Sequence, residues 1–272
     1  MALIIHRPGA ALHGLVRTIT YQSGEQPWTS VEKILPDPAA SMWVNLNRDE
    51  FRSFRDPACQ DADRVPGAML AGPRGRALVT EFEQGRAHVS VSFALGAARC
   101  FFGVPLAATQ DELVPLAELW GRTGACLREQ LLTAAGPDDM IRVMEKSLWH
   151  QLSSDYSVDP GITAAARALS RGVPVGDVSS ALGIVPKTFR RRFIAQVGLP
   201  PKRFARVRRL QRVALQVDGQ GPVDWAAVAA EHGYSDQPHL TDEFRDLVGV
   251  TPTAYLQSRI NGPSHLRVAS AS

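Results

Sequence analysis

The sequence is poor in cysteine, and the cysteines it contains suit neither a disulfide framework nor a zinc site. There are three, Cys59, Cys100 and Cys126, at wide and unrelated spacings. An odd number at such spacings favours buried, reduced thiols. The seven histidines form no HExxH motif and no paired HxH followed by a carboxylate. The sequence therefore predicts no metal site and no cofactor.

Long apolar runs and the common catalytic motifs are also missing. No stretch approaches 18 consecutive apolar residues, so we expect no membrane-spanning helix. The motifs GxSxG and GxxxxGK[ST] do not occur, which argues against the common hydrolases and nucleotide-binding enzymes. At the N-terminus, Arg7 and Pro8 interrupt the apolar core that a signal peptide needs. We expect a cytoplasmic, unprocessed protein that is not an enzyme.

Charge is distributed unevenly behind a net value of only +3. Residues 1–155 hold 15 Lys and Arg against 18 Asp and Glu, and residues 218–272 hold 3 against 7. Residues 178–217, in contrast, hold ten basic residues and no acid. The ten are Lys187, Arg190, Arg191, Arg192, Lys202, Arg203, Arg206, Arg208, Arg209 and Arg212. A basic block inside an otherwise neutral chain indicates a polyanionic partner.

The 272 residues, 44% of them hydrophobic and 21% charged, suffice for two soluble domains. In the first hundred residues the pattern alternates as in β-strands: Val89, Val91 and Phe93 fall on one face, and Ser90 and Ser92 on the other. The apolar residues that follow recur at helical spacing. The predicted divisions are a β-rich region at 1–108, a helical region at 109–153, a linker at 154–160, a helical domain at 161–261 and a flexible tail at 262–272.

The C-terminal part contains an internal repeat. Its matching positions lie fifty residues apart up to the glycine of the turn and fifty-one residues apart after it. The matches are Val175, Val178 and Gly183 with Trp225, Val228 and Gly233, then Phe189, Phe193, Gly198, Pro201 and Phe204 with Leu240, Phe244, Gly249, Pro252 and Tyr255. Each unit reads as a short helix, a glycine turn and a second helix, which is a helix-turn-helix. The predicted fold class is α+β with two domains, a β-sandwich or barrel-like domain with a helical extension before an all-α double helix-turn-helix domain.

Helical periodicity sorts the arginines of the stretch GIVPKTFRRRFIAQVG. Phe189 and Phe193 define the buried side, Arg191 points nearly opposite, and Lys187 lies one turn before it. The two flanking arginines, Arg190 and Arg192, are equivalent by periodicity alone. Pro186 suits the first helical position, and the valine before it provides no cap, so packing or a phosphate must hold the helix start. Such a helix either reads a major groove or presents a solvated basic face.

The C-terminal hundred residues resemble the AraC/XylS-type DNA-binding domain. The stretch VAAEHGYSDQPHLTDEFRDLVGVTPTAYLQSR carries the resemblance, through Gly233-Tyr234, Phe244-Arg245, Gly249, Thr251-Pro252 and Tyr255. The resemblance implies two helix-turn-helix units joined by a long helix at about residues 201–217, with recognition helices in successive major grooves. It implies base readers at Lys187, Thr188, Arg190 and Arg191 in the first unit and at Gln237, His239, Thr241 and Asp242 in the second. Candidate phosphate contacts are Arg192, Arg208, Arg209 and Arg212.

The second recognition helix departs from the family pattern in charge. Asp242 stands where the family often has a basic residue, and an aspartate repels phosphate. Three further acids, Asp236, Glu243 and Asp246, lie close to it in the sequence. We therefore expect the first unit to dominate DNA binding.

The N-terminal half resembles, over the stretch VSFALGAARCFFGVPLAATQDELVPLAELWG, the small β-domain that precedes this DNA-binding domain in many regulators. The resemblance implies effector binding or dimerisation, with the helices at 111–153 as the homodimer contact. Trp43, Phe93, Phe101 and Phe102 either line a small-molecule pocket or form core. His88 and Cys100 are weaker candidates for a ligand or redox sensor.

These features together predict a sequence-specific transcription regulator of the AraC type. Its expected partners are double-stranded DNA, a small-molecule effector, a second copy of the chain, and RNA polymerase if the protein is an activator. One alternative is an enzymatic N-terminal domain tethered to DNA, although no catalytic constellation supports it. Another is a general nucleic-acid or RNA binder, which needs exposed aromatic residues among the basic ones.

Overall fold

A computed structural model describes residues 2–9, 11–24, 30–55, 61–82, 87–153, 155, 157–219, 221–260 and 263–268. Cys59 lies outside the described residues. The chain has a β-rich N-terminal domain and a helical C-terminal domain, so the expected α+β architecture with two domains is confirmed. Within the described part of the chain, no helix is long and apolar enough to cross a membrane.

The strands form two antiparallel sheets. They are β1 (Ala2–His6), β2 (Val16–Ser23), β3 (Ser30–Ile34), β4 (Ser41–Asn45), β5 (Glu50–Phe54), β6 (Ala62–Pro66), β7 (Ala68–Ala71), β8 (Leu78–Phe82), β9 (Ala87–Phe93), β10 (Leu113–Pro115), β11 (Arg259–Ile260) and β12 (His265–Arg267). The first sheet has the order β1-β2-β9-β4-β7-β10, and the second has the order β11-β12-β3-β8-β5-β6. Leu113–Pro115 is a strand at the edge of the first sheet, where the helical spacing predicted a helix.

The helices follow in two groups, one on the first sheet and one forming the C-terminal domain. The first group is α1 (Arg99–Phe102), a 3₁₀ turn at Leu106–Thr109, α2 (Leu116–Trp120), α3 (Arg122–Leu132) and α4 (Pro137–Gln151). The second group is α5 (Pro160–Ser170), α6 (Val175–Ala181), α7 (Pro186–Val197), α8 (Pro201–Gln216), α9 (Trp225–Glu231), α10 (Gln237–Val248) and α11 (Pro252–Ser258).

The N-terminal hydrophobic core lies between the first sheet and helices α3 and α4. Alternate strand residues point into it, such as Met42 and Val44 on β4 and Val89 and Val91 on β9, and all four are fully buried. Leu148 on α4 covers them from the other side. The core therefore lies outside the space between the two sheets.

The repeat corresponds to two helix-turn-helix units, α6–α7 and α9–α10, joined by α8. The first helices begin 50 residues apart, at Val175 and Trp225, and the second helices begin 51 apart, at Pro186 and Gln237. The extra residue lies in the turn between the helices, as expected. Gly183 and Gly233 begin these turns with φ of 64° and 75°, a conformation that residues with a Cβ rarely adopt, which explains why glycine recurs.

The C-terminal helical domain packs directly on two loops of the β-domain. The loop at 35–40 accepts a hydrogen bond from Gln211 on α8 through the carbonyl of Pro36, at 2.8 Å. The loop at 72–77 accepts one from Arg203 through the carbonyl of Gly75, at 3.0 Å, and its last amide donates to the carbonyl of Leu247 on α10. Both loops therefore connect the sheets to the joining helix or the second recognition helix.

Residues 263–268, which fall in the segment predicted to be a flexible tail, contact the β-domain. Strand β12 pairs with β3 at the edge of the second sheet, and Leu266 is buried. His265 Nδ1 lies 2.9 Å from Oε2 of the buried Glu32. A strand of three residues has no periodicity to detect, and its partner strand is more than 200 residues away in sequence.

A chain that ends at Ser258 is expected to be less stable by about 2 kcal/mol, which corresponds to a fall in Tm of about 4–8 °C. The reason is that truncation exposes the edge of β3 and the apolar surface under Leu266. Thermal unfolding followed by circular dichroism measures the change. The variant Arg267→Ala, at an exposed position of the same strand, is the control and should unfold like the full chain. An unchanged Tm after truncation would contradict a structural role for the strand.

Candidate nucleic-acid interface

The first recognition helix, α7, begins without a side-chain cap. Its N-cap residue is Val185, whose side chain makes no capping hydrogen bond, and Pro186 occupies the first turn. Val185 is 66% exposed although it is apolar. The amide groups of the first turn therefore face outward without a side-chain acceptor, and they carry the positive end of the helix dipole. Such a helix start can accept a phosphate.

Three exposed cations surround this helix start. Lys187, Arg190 and Arg191 are all exposed, and none has an ion pair among the described residues. Phe189 and Phe193 are buried beneath them, as periodicity predicts. The structure also places Arg190 on the exposed side, which periodicity alone left open. Thr188, another predicted base reader, is only partly exposed.

Arg192 lies on the opposite flank of the same helix and is held within the domain. Its guanidinium donates to the carboxylate of Asp159, which also caps the start of α5. The side chain remains 43% exposed. Of the three consecutive arginines, two are free to meet a ligand, and the third ties α7 to α5.

The second recognition helix, α10, begins differently. Asp236 is its N-cap, and the carboxylate accepts a hydrogen bond from the amide of His239 at 2.8 Å. Gln237 and His239 are exposed and Thr241 is partly exposed, so all three expected readers can reach the surface. Asp242 is exposed and lies 3.5 Å from Arg245 one turn later. A negative cap at this position occupies the site that a phosphate would take.

Behind α10, a buried carboxylate joins the helix to α8. Glu243 is only 3% exposed and accepts hydrogen bonds from Arg206 Nε at 2.8 Å, Arg209 Nη2 at 2.6 Å and the Tyr234 hydroxyl at 2.7 Å. Burial by itself would raise the pKa of Glu243, but the hydrogen bonds from the arginines and the tyrosine outweigh it and hold that pKa below its usual value. We call Glu243, Arg206, Arg209 and Tyr234 the Glu243 clamp.

A second carboxylate on α10 extends these contacts towards the solvent. Arg203 and Arg206 each donate to Asp246 at 2.7 Å. Glu243 and Asp246 are therefore neutralised from within the protein, and they do not add to the negative charge that α10 presents to DNA. The sequence predicts that both acids repel DNA. Because both are paired with arginines inside the protein, the repulsion is smaller than the sequence predicts.

The remaining candidate phosphate contacts on α8 also have partners inside the protein. Arg209 lies 4.0 Å above the ring of Tyr234, Arg212 donates to the carbonyl of Ser170, and Arg208 donates to Gln211. The acidic partners of the basic block lie 33 to 43 residues away in sequence. Fewer of the ten basic residues at 178–217 are therefore available to a polyanion than the lack of nearby acids in the sequence suggests.

The aromatic residues of the N-terminal domain divide between two places. Trp43 lines a cavity of about 210 Å³ between the two sheets, and His88 packs against its ring at 4.9 Å. Phe93, Phe101 and Phe102 are instead buried in the core on the other face of the first sheet. A pocket lined by all four aromatics is therefore wrong, because Trp43 and Phe93 point to opposite faces of the first sheet, and Phe101 and Phe102 belong to helix α1 on the side of Phe93. Cys100 is buried with them, which raises the pKa of its thiol.

Two family models match separate parts of the chain, and several solved structures are similar to it. Residues 164–258 match a helix-turn-helix domain family, and residues 5–115 match a domain of unknown function (DUF6597). ToxT from Vibrio cholerae is similar at 12% identity over 88% of this chain and 96% of that chain, with a TM-score of 0.42. Its unsaturated fatty acid-bound form is similar at 10% identity over 89% and 95%, with a TM-score of 0.41. The AraC-like transcriptional activator CuxR is similar at 11% identity over 77% and 86%, with a TM-score of 0.25. No curated protein matches the chain.

Two helix-turn-helix units on one joining helix, matched by a helix-turn-helix family, define a DNA-binding transcription regulator. The C-terminal region of this chain, residues 164–258, is a helix-turn-helix domain of the AraC type.

Proposed function

We propose that the protein binds specific double-stranded DNA chiefly through the first turns of α7. The observation that carries the proposal is the contrast between the two recognition helices. The start of α7 is uncapped and is surrounded by three exposed cations that have no ion pair among the described residues, whereas the start of α10 is capped by Asp236. Only the first arrangement attracts both phosphate and the acceptor edges of bases.

Within the first unit, Lys187 and Arg191 lie four residues apart on one exposed face and are suited to base edges. An arginine there can donate two hydrogen bonds to guanine O6 and N7, which discriminates by about 1–3 kcal/mol. Arg190 and Thr188 flank this pair and extend the contact along the groove. Of the four candidate phosphate contacts, we retain Arg192, because its side chain is the one that combines exposure with a position on α7.

The second unit plays the smaller part in this proposal. Gln237, His239 and Thr241 can contact bases or the backbone, since each reaches the surface. In this proposal Arg208, Arg209 and Arg212 make contacts within the C-terminal domain rather than with DNA. Their guanidinium groups already have partners within the domain.

We further propose that the N-terminal domain controls DNA affinity by binding a small molecule between its two sheets. The support is the position of the cavity, whose lining includes Leu35 and Arg74 from the two loops that contact the DNA-binding domain. A ligand that favours one arrangement of these loops changes operator affinity by linkage. We also propose that the chain forms a homodimer through α3 and α4 and that it acts in the cytoplasm. In an activating role it would contact RNA polymerase.

The DNA-binding proposal predicts a steep salt dependence together with sequence preference. Duplexes are first selected by the full-length protein from a genomic library, and their affinities are then measured at several salt concentrations. The selected duplex should bind about a thousandfold more tightly than a scrambled duplex. Its log K should fall by about 0.9 per decade of salt for each phosphate neutralised. Equal affinity for selected duplex, scrambled duplex and single strand would contradict the proposal and favour a general nucleic-acid binder.

A further inference from the structure

The space between the two sheets is a cavity that is lined by both polar and apolar side chains. On the first sheet the inward positions pair as Ser41 with Ser92, Trp43 with Ser90, and Asn45 with His88. The outward positions of the same strands pair as Met42 with Val91 and Val44 with Val89, and these are core. None of the residues in the hydrophobic core described above comes from the second sheet. A sandwich normally fills this space with interdigitating side chains, so an open cavity lined by both sheets leaves room for a ligand.

Three acids, Asp37, Glu50 and Glu81, line the cavity together with the arginines, yet the half-buried guanidinium of Arg74 has no acid partner among the described residues. Three arginines line the cavity, and Arg52 pairs with Glu81 at 2.8 Å. Arg74 has no carboxylate within 4.0 Å among the described residues, and its Nε is buried without a hydrogen-bond partner. The nearest acceptor of its Nη1 is the carbonyl of Asp111, at a long 3.4 Å.

A partly buried cation without a counter-ion is an unfavourable arrangement. Burial lowers the pKa of Arg74, although Asp111 and Glu112 oppose the change from a distance. The energetic penalty is relieved if an anion from outside the chain completes the pair. Arg74 lines the cavity, and its planar guanidinium suits two oxygens of one carboxylate.

We propose that the cavity binds a small, polar carboxylic acid whose carboxylate pairs with Arg74. This inference rests on the proposed sensing function and names the class of its ligand. The body of the acid lies between Trp43 and Met69 on one sheet and Leu78 on the other. The hydroxyl, amide and imidazole groups of the lining offer hydrogen bonds along the same space, and a cavity of about 210 Å³ favours a short body over a long acyl chain.

The position of Arg74 also gives the ligand a route to the DNA-binding domain. Arg74 lies one residue before Gly75, whose carbonyl accepts from Arg203, and three before Ala77, whose amide donates to Leu247. Arg203 in turn pairs with Asp246 on α10. Pairing of a carboxylate with Arg74 therefore acts on the loop that touches both the joining helix and the second recognition helix.

Thermal unfolding of the full-length protein with matched acid and amide probes tests the proposal. The probes are acetate, benzoate and 4-hydroxybenzoate, each compared with its carboxamide. At ten times Kd the acid that fits should raise the Tm of the wild type by about 3–6 °C, and its amide should not. In Arg74→Met the rise should vanish, and the unliganded Tm should stay equal or increase because a buried unpaired charge is gone. Arg64→Met, which alters an exposed arginine paired with Glu50, is the control and should respond like the wild type.

Three results would overturn the proposal. They are no shift with any of the acids, an equal shift with acid and amide, and a fall in the unliganded Tm of Arg74→Met, which would give Arg74 a structural role. DNA affinity of the same preparations separates this inference from the proposed function. If selected duplex binds but no acid does, the ligand class alone is wrong. If an acid binds at Arg74 without any change in operator affinity, the cavity is a ligand site and the proposed control of DNA binding is wrong.

Discussion

Replacing Glu243 by alanine is expected to destabilise the protein by about 3 kcal/mol. The carboxylate is buried and accepts from two arginines and a tyrosine, so its removal leaves Arg209 and the Tyr234 hydroxyl without their acceptor. It also releases α10 from α8, because the Glu243 clamp is the main polar link between these helices. Urea unfolding followed by circular dichroism measures the change in the free energy of unfolding.

The neighbouring acid supplies the matched control for this prediction. Asp242 is exposed one position earlier on the same helix, and Asp242→Ala should change the free energy of unfolding by less than about 0.5 kcal/mol. If Glu243→Ala were no more destabilising than Asp242→Ala, the clamp would contribute nothing to stability.

The same clamp predicts a pH dependence whose sign follows from the lowered pKa of Glu243. The usual pKa of a glutamate is 4.5, and the pKa of Glu243 in the folded protein lies below it. The contribution of Glu243 is therefore complete above about pH 4.5 and is lost as the pH falls through the folded pKa. Glu243→Gln lacks this titration, so its difference in unfolding free energy from the wild type should shrink as the pH is lowered below 4.5. A difference that stays constant from pH 7 to pH 3 would contradict the assignment.

The helix-turn-helix repeat could be predicted from the sequence because the interactions that define it are local. Phe189 and Phe193 recur at the spacing of one helical turn, and Gly183 marks a turn whose φ requires glycine. The cap difference between α7 and α10 is also readable, since it depends on the single residues Val185 and Asp236. Local sequence thus contains most of the information about the candidate interface.

The Glu243 clamp could not be predicted, because its two arginines lie 34 and 37 residues before Glu243 and share no sequence pattern with it. Before the fold is known, Arg206 and Arg209 look like part of an unneutralised basic block. Glu243 looks like one more acid on a recognition helix. Tertiary packing of α8 against α10 turns this apparent repulsion of DNA into an internal ion pair.

The cavity between the two sheets could be predicted from the sequence only in part. Alternation along β9 correctly assigned Val89 and Val91 to one face and Ser90 and Ser92 to the other. It could not show that both faces are covered, one by helices and the other by a second sheet. A strand whose polar face is buried looks the same in sequence as a strand whose polar face meets water.

Replacing both Lys187 and Arg191 by alanine is expected to weaken binding to the selected duplex by about 2–4 kcal/mol, or about thirtyfold to a thousandfold. The two side chains are exposed and unpaired, so they are free to form base contacts at no cost to the fold. The comparison variant is Gln237→Ala with His239→Ala, which alters the equivalent face of α10. That pair should weaken binding by less than about tenfold. Affinities are measured by fluorescence anisotropy at one fixed salt concentration.

The salt dependence of the two double variants separates base reading from simple charge. Removal of a cation that touches only phosphate lowers the salt slope by about 1 and weakens all duplexes alike. Removal of a base reader also reduces the preference for the selected duplex over a scrambled one. We expect the α7 variant to lose this preference and the α10 variant to keep most of it. Equal losses of affinity in the two variants, with unchanged Tm in both, would show that the two recognition helices share the reading equally and that the cap at Asp236 does not prevent close approach to DNA.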